Sequence, residues 1–402
     1  MKSAQYRAGR YVTQPTGYRA FVPNHLPPDP PILMDDEMWE HLSRADLALG
    51  RLDGSAEVLP DPDLFVLMYI RKEAVLSSQI EGTQASLADV LELEAKVLSS
   101  KRHSGAGEVV NYIGALQYGL HRLSTLPLSS RLIREIHEKL MAGTRGSERA
   151  PGEFRRSQNW IGPPGSTIRT ARFIPPTPDD MLTALSDFEK FLHSERPMPF
   201  LIRVGLAHAQ FETIHPFLDG NGRIGRLLIT FLLCKEGVLK RPLLYLSYYF
   251  KLNRQEYYDR LQTVRDSGDW ESWLKFFLGG IAEVAKEATA VAGRIARMRE
   301  RDRERIIETA GRSAGQALTI HEFLFRQPMV SVRLVQQVLE TQFPTASRAI
   351  GVLERGGILR EVTGRQRNRL FRYDEYLKQF EDEEADQAHV PAAQNDGHTV
   401  NA

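Results

Sequence analysis

His215-Pro216-Phe217-Leu218-Asp219-Gly220-Asn221-Gly222-Arg223-Ile224-Gly225-Arg226 lies between two stretches of helical periodicity, 198–213 and 223–236. It therefore reads as a loop that opens into a helix. Gly220-Asn221-Gly222 allows backbone conformations that bulkier residues avoid, so neighbouring N–H groups can converge on one point. The positive N-terminal end of the following helix adds to that nest, which suits phosphate. Arg223 and Arg226 are three apart and project from the first turn on a common side, and guanidinium groups bind phosphate oxygens in pairs. Asp219 is a hard oxygen ligand beside the nest, and magnesium is usually held by one or two carboxylates plus substrate phosphates. His215 precedes it. An unperturbed imidazole has a pKa of about 6.5 and accepts a proton readily near neutrality. A base, a carboxylate for a metal, an anion nest and two arginines together describe phosphoryl or nucleotidyl transfer. A lone Gly-Asn-Gly would be only a turn, and a lone histidine a structural residue; a turn does not need all the other groups at once.

Around this segment the chain is ordinary in bulk. Its 402 residues suggest two or three folded units. A net charge of +1 excludes a global polyanion-binding surface, so any nucleic-acid partner must be met by a local basic patch. Cys234 is the one cysteine, so no internal disulfide forms, and no Cys/His group has zinc-ligand spacing. The first twelve residues are charged, without the apolar run of a signal peptide. The longest apolar run, Leu227 to Leu233, falls well short of the roughly 20 residues of a membrane span. Together these features suggest a cytoplasmic protein with no membrane partner.

Residues 1–34 carry Pro15, Pro23, Pro27, Pro28, Pro30 and Pro31 and read as an extended arm. Asp35 and Asp36 open an amphipathic helix, and Asp61 or Asp63 can cap a second one that runs to about Ile80. Further helices are expected over 86–98, 107–124, 129–143, 178–194 and 253–265. Trp160 to Pro176, with Gly162, Pro163, Pro164 and Gly165, reads instead as a hairpin or flap. Helical pattern resumes from Trp270 to about Thr309, ending in the Arg- and Glu-rich stretch 294–305 that suits a connector or dimer helix.

The central segment resembles the signature of the Fic family, His-Pro-Phe-x-Asp/Glu-Gly-Asn-Gly-Arg-x-x-Arg, with every defined position present. Pro151-Gly152-Glu153-Phe154-Arg155, Gln158-Asn159-Trp160-Ile161-Gly162 and Phe173-Ile174-Pro175-Pro176 look like the entry to and exit from that family's flap. The resemblance covers about residues 10–280. It implies an all-α fold, a helical core with a short β-hairpin flap. It also implies a reaction in which AMP passes from ATP to a hydroxyl of a protein target or of the chain itself. His215 would take the hydroxyl proton. Asp219 would hold Mg2+ on the ATP phosphates, Gly220, Asn221, Gly222, Arg223, Ile224, Gly225 and Arg226 would cradle them, and the flap would register the target by strand-like pairing. Asn253, in the looser Phe250-Lys251-Leu252-Asn253-Arg254, is expected to contact the nucleotide base.

Ser77-Ser78-Gln79-Ile80-Glu81-Gly82 resembles the inhibitory motif of the same family, placed before the core. Ser77 and Glu81 are four apart and share a helix face, and Gly82 can end the helix. A carboxylate presented there would pair with Arg226 and withhold it from the ATP γ-phosphate. As a plain reading, Glu81 would be a solvated residue at a helix end.

Residues 329–373 read as a small winged helix-turn-helix: Ser331 caps one helix, Thr345 or Ser347 opens a second, Gly356-Gly357 ends it, and Ile358–Val362 and Leu370–Tyr373 form two strands. Seven Arg against two Glu between Pro344 and Arg372 give a local charge of +5, which suits DNA phosphates as well as protein contacts. The expected organisation is an arm with inhibitory helices (1–106), a catalytic core (107–285), a connector helix (286–315), the winged unit (316–378) and a disordered tail (379–402). Expected partners are ATP, a hydroxyl-bearing protein, DNA through 329–373 and a second copy of the chain. Two alternatives stay open: removal of AMP or transfer of another phosphate-linked group by the same core, and a DNA-binding regulator that senses nucleotide.

Overall fold

Arg10-Tyr11-Val12-Thr13 and Arg19-Ala20-Phe21-Val22 are β-prone runs on either side of a glycine turn, and in the computed structural model they pair. The model describes residues 6–57, 62–94, 105–144, 148–163, 165–310 and 314–380. β1 (Gly9–Thr13) and β2 (Arg19–Pro23) are antiparallel, in register from Gly9 opposite Pro23 to Thr13 opposite Arg19. The arm expected over 1–34 is thus folded in its middle. Pro15 lies in the turn and Pro23 ends a strand, where neither removes a ladder hydrogen bond.

α1 (Asp36–Glu57) starts one residue after Asp35, whose Oδ1 accepts from the Met38 N–H at 2.7 Å. α2 (Pro62–Ile80) follows; its two expected caps, Asp61 and the Asp63 side chain, lie outside the described part of the chain. α3 (Leu87–Glu94) matches the described part of the 86–98 expectation. α4 (Ala106–Arg122), α5 (Ser130–Met141) and α6 (Pro178–Leu192) then lead to the central pair, α7 (Phe200–Ile214) and α8 (Asn221–Lys235). Every residue of α7 from Val204 to Ile214 and of α8 from Arg223 to Leu233 is buried. A helix covered on all sides belongs to the centre of a bundle. That placement fixes the loop between them, 215–220, because both of its ends are anchored in core.

α9 (Ser247–Leu252), absent from the sequence reading, and α10 (Arg254–Ser267) pack beside this pair. α11 (Trp270–Ala310) runs on for 41 residues. The buried Trp273 donates its indole N–H to the Gly205 carbonyl at 2.9 Å, tying the start of α11 to α7.

The chain divides into two compact units, Met1–Gly293 and Arg294–Ala402. The second contains α12 (Ala314–Leu324), β3 (Met329–Ser331), α13 (Val332–Val338), α14 (Phe343–Arg355), β4 (Arg360–Glu361), β5 (Leu370–Arg372) and α15 (Asp374–Lys378). Its sheet is antiparallel with order β3-β5-β4, one strand more than the sequence suggested. Ser331 caps α13, its hydroxyl accepting from the Leu334 N–H at 3.2 Å. α14 opens earlier than expected, after Gln342 rather than at Thr345 or Ser347. Pro344 suits a first turn, where its missing N–H would have had no partner. Gly356 and Gly357 follow the end of that helix, in agreement with the sequence. Around Ile350, Leu353, Phe371 and Tyr376 the unit has its own apolar core. At its edge the fully buried Asp302 takes hydrogen bonds from Tyr373 and Arg301. Most of the tail expected to be disordered, 381–402, lies outside the described residues.

Candidate active site

His215 ends α7 in the left-handed region, at φ 50° and ψ 60°, with its N–H on the Phe211 carbonyl at 3.0 Å. A non-glycine residue there costs of order 1–3 kcal/mol and persists only where its surroundings impose it. They do so here. The buried Arg155 donates Nε to the His215 carbonyl at 3.0 Å, Nη2 to Pro176 O at 2.5 Å, and its own backbone N–H to Pro216 O at 2.9 Å. Asn221 is doubly bonded to Phe217, accepting from its N–H and donating to its carbonyl, both at 2.8 Å. Asn159 adds a bond to the same carbonyl at 2.9 Å. The Phe217 ring is fully buried and stacks on His137 with centroids 3.7 Å apart. His137 Nδ1 accepts from the Gly152 N–H at 2.9 Å, which leaves Nε2 to carry the proton it donates to the Asp219 carbonyl at 3.0 Å. Burial pushes the His137 pKa down to about 4, so that tautomer is neutral.

The His215 imidazole keeps some solvent access, but its Nδ1 is buried without a hydrogen-bond partner among the described residues. Desolvation, with the guanidinium groups of Arg265 and Arg155 nearby, pushes its pKa down to about 3. At neutral pH it is an uncharged imidazole able to accept a proton. Arg265 is itself buried; it donates to Glu212 O and Thr213 Oγ1, both at 3.2 Å, and lies over the Phe173 ring at 3.9 Å.

At the start of α8, Gly220 has φ 79° and gives its N–H to Asp219 Oδ1 at 2.6 Å. The next three N–H groups, on Asn221, Gly222 and Arg223, precede the first intrahelical partner, an arrangement that suits an anion. Three of the residues expected to bind nucleotide also have partners or contacts within the fold. The Asn221 side chain is spent on Phe217. Ile224 is core, and its N–H already bonds Gly220 O at 3.0 Å. Gly225 faces Glu212: a Cβ on it would stand 2.4 Å from Oε1. Arg223 is nearly buried, its guanidinium 3.6 Å from both Glu108 and Asp219 and 3.5 Å from Met141 Sδ. Asp219 is about one-third exposed and has Arg149 3.4 Å from its other oxygen. Among the described residues no cluster of three or more His, Cys, Asp or Glu could cage a metal. One accessible carboxylate beside an anion seat fits a cation that takes its remaining ligands from phosphates and water.

Arg226, 2% exposed, is the most constrained charge of the site. Its Nε donates to Ser77 Oγ at 2.8 Å, and Nη2 donates to Ser77 O at 3.0 Å and Glu81 Oε1 at 2.6 Å. Burial opposes its charge, but the Glu81 carboxylate together with Tyr257, Tyr258 and Glu212 more than offsets this, and the guanidinium pKa is pushed up. α2 stops at Ile80, and Gly82 takes φ 95° just beyond. Glu81 occupies the space that Gly222 leaves: a Cβ there would come within 2.2 Å of its Oε1. Ser77, Glu81, Gly222 and Arg226 are thus brought together. Asn253 is not shown in contact with them. It forms the corner between α9 and α10, and its side-chain amide closes that turn on Tyr249 O at 3.1 Å.

The sequence reading passed over several buried ionisable groups. His208 bridges Gly225 O and Tyr257 Oη, both at 2.9 Å, and burial pushes its pKa down to about 3. Burial raises Glu73 and Glu212 to about 7; Glu73 is bonded to Tyr112 and Ser247, whereas Glu212 Oε1 has no partner. Identity alone could not reveal them, since helix packing buries them. The flap also differs from expectation. It is closed by one antiparallel bridge, Ile161 with Phe173, at 2.8 and 3.0 Å, and not by a regular hairpin. Pro163 and Pro164, just beyond Ile161, lack the N–H donors that a longer ladder needs. The Phe21 N–H of β2 donates to Ile174 O at 2.9 Å, so the N-terminal hairpin holds the flap exit.

Comparison with known families matches residues 39–121 to the Fic/DOC family N-terminal model and residues 127–233 to the Fic/DOC family model. The chain is 33% identical over 258 residues to "Protein adenylyltransferase Fic" of Aedes aegypti, covering 60% of this chain and 47% of that one. The protein of the same name from Culex quinquefasciatus is 33% identical over 209 residues, 49% of this chain and 37% of that one. The chain thus spans about half the length, or less, of these curated relatives. Among solved structures, a Fic family protein from Desulfovibrio desulfuricans G20 superposes with a TM-score of 0.56 at 18% identity, covering 85% of this chain and 97% of that one, a likeness of fold. The signature at 215–226, the helical fold around it and the two matched models agree: this chain carries a Fic/DOC family N-terminal region over residues 39–121 and a Fic/DOC family domain over residues 127–233.

Proposed function

We propose that the chain is a protein adenylyltransferase that moves AMP from ATP to a hydroxyl of a target protein or of itself. The observation that carries this is a neutral imidazole at His215, set beside an anion seat at the start of α8 whose deepest charge, Arg226, is engaged by Glu81. The target oxygen attacks the α-phosphorus and its proton passes to His215. The bond from that phosphorus to the β-phosphate oxygen breaks, and pyrophosphate leaves. The N–H groups of Asn221, Gly222 and Arg223, with Arg226, hold the β- and γ-phosphates and offset their charge. Asp219 would hold Mg2+, which supplies further neutralisation of phosphate charge when bound. The Fic names of the relatives support this reaction class.

In this reading Glu81 is a brake. While it holds Arg226, the γ-phosphate lacks its guanidinium partner, and activity scales with the small released fraction. The test is incubation with ATP labelled at either the α- or the γ-phosphate, using wild type, Glu81→Gly and Glu81→Gly/Arg226→Ala. The α label should become acid-stable on protein, about tenfold or more in Glu81→Gly, with the gain lost in the double variant. Acid-stable γ label would mean phosphate transfer, and equal rates in wild type and Glu81→Gly would remove the brake.

A second role for the C-terminal unit rests on Arg348, Arg355, Arg365 and Arg367, which are exposed and make no ion pair with described residues. They suit DNA phosphates. Replacing Arg365 and Arg367 by Ala in the full chain should flatten the salt dependence of DNA binding by roughly one unit of slope per lost contact. A wild-type chain without salt-dependent DNA binding excludes it.

A further inference from the structure

Beyond the catalytic loop, the first unit contains a groove of about 560 Å³ that the reaction above does not use. One wall is the hairpin turn, from Thr16 to Arg19. The other is the far limb of the flap, from Ile168 to Ile174, and the floor meets α10 at Gln262 and Asp266. Three guanidinium groups line it. Arg172 is paired with Asp259. Arg19 lies over the Tyr11 ring at 5.2 Å and has no carboxylate partner among the described residues, and Arg169 is exposed with none either. The lining carboxylate, Asp266, is engaged by Tyr11 Oη and Gln262 Nε2, both at 3.0 Å. Those donors are neutral and leave the Asp266 charge in place, so three guanidinium groups against Asp259 and Asp266 give the cleft a net positive charge, with Arg19 and Arg169 lacking a direct carboxylate partner among the described residues.

The backbone of the flap limb is equally unspent. Thr167 and Thr170 satisfy one another within their turn, but the N–H groups of Ile168, Arg169, Ala171 and Arg172 donate to no described residue. The limb is exposed, turns at Ile168–Thr170 and leaves these donors free, so a segment lying along the groove can hydrogen-bond to it. The groove also leads toward the chemistry. Its inner end is Phe173, whose ring packs under Arg265, and Arg265 holds Glu212 and Thr213, the two residues before Ile214-His215.

The geometry points to a docking groove for an extended target segment that carries carboxylate side chains near the acceptor hydroxyl, with Arg19 and Arg169 as its charge readers. This builds on the proposed transfer to protein hydroxyls, and names the class of target. Long-range complementarity of this kind selects partners and speeds encounter more than it adds affinity. The hairpin β1–β2 thereby acquires a role in recognition. It sets one wall of the groove and, through the Phe21 N–H on Ile174 O, the position of the other.

The test is binding, so it does not depend on turnover. Three fluorescein-labelled ten-residue peptides, each with one central Thr in a Glu-rich, Gln-rich or Lys-rich background, are titrated against the full chain and followed by anisotropy. The Glu-rich peptide should bind at least about fivefold tighter than the Gln-rich one, the size expected for two partly solvated ion pairs, and the gap should close with added salt. Arg19→Glu/Arg169→Glu should reverse the order in favour of the Lys-rich peptide, with the thermal midpoint unchanged. Equal binding of the three peptides overturns the inference. So does a Glu preference that survives the double variant, since it would belong to the basic surface of the C-terminal unit. Failure of AMP transfer would show separately, in the labelled-ATP experiment, and leaves this readout intact.

Discussion

The loop 215–220 and the flap 160–173 face the same chemistry and are built in opposite ways. The loop is anchored at both ends in buried helix and cross-braced by Arg155, Asn159, Asn221 and the Phe217–His137 stack. The flap is largely exposed and closed by a single bridge. In the proposed reaction the loop has to hold a base in a costly backbone conformation, and the fold over-determines it. The flap would meet target segments of varied sequence, which calls for free backbone donors and little fixed packing. Rigidity is concentrated where a reacting atom must be placed and is absent where a partner must be accommodated.

The largest test of that contrast is His215→Ala. It should lower AMP transfer by about 10²–10⁴-fold, the usual worth of a general base, with ATP binding nearly unchanged by calorimetry. Normal turnover in a folded variant would remove His215 from the reaction. The depressed pKa of His215 gives a companion prediction. Because its charged form is disfavoured, it stays neutral well below the ordinary imidazole value of about 6.5. The pH–rate profile of Glu81→Gly should therefore show no acid limb near 6.5 from this residue; a limb there that His215→Gln abolishes would contradict it.

Phe217→Ala comes next and tests the braces. Removing a fully buried ring should cost about 3–5 kcal/mol of unfolding free energy, read from denaturant midpoints. Asn221→Ala leaves the backbone N–H and carbonyl of Phe217 without their side-chain partner and should cost about 1–3 kcal/mol. If Asn221→Ala instead weakened ATP binding with unchanged stability, its side chain would be a ligand contact and not a brace. The smallest expected effect is at the flap. Ile161→Pro removes one of two bridge hydrogen bonds and should alter stability by no more than about 0.5 kcal/mol. It should lower modification of a target protein while leaving ATP binding intact. A large loss of stability would mean that the flap is structural and the contrast false.

Much of the site could be read in advance because its chemistry is local. Gly220-Asn221-Gly222 and the two arginines fall within seven residues at one helix start, and Ser77 and Glu81 share one face of one helix. What escaped the reading depends on contacts distant in sequence. The Asn221 side chain braces Phe217, a partner set by loop geometry, while its N–H stays at the helix start. Ile224 sits inside a phosphate-binding motif yet faces the core. Glu73, His208 and Glu212 are ordinary polar residues until the packing of α2, α7 and α9 removes their water. The β1–β2 hairpin was masked by flanking prolines, although Tyr11, Val12, Phe21 and Val22 carried a strand signal. The segments 58–61, 95–104, 145–147 and 311–313 lie outside the described residues.

The space left by Gly222 has a consequence for inheritance. A Cβ there collides with Glu81 Oε1, so in the proposed scheme the glycine would be a receptor for the brake as well as part of the phosphate seat. Mutations that release the brake can then accumulate at Ser77 or Glu81, which the proposed chemistry does not need. Even alanine at Gly222 would dislodge Glu81 and crowd the nucleotide in the same step. In a genetic screen for runaway, toxic alleles of this gene, hits should therefore cluster at codons 77 and 81. Codon 222 should appear only in the opposite selection, among alleles that have fallen silent.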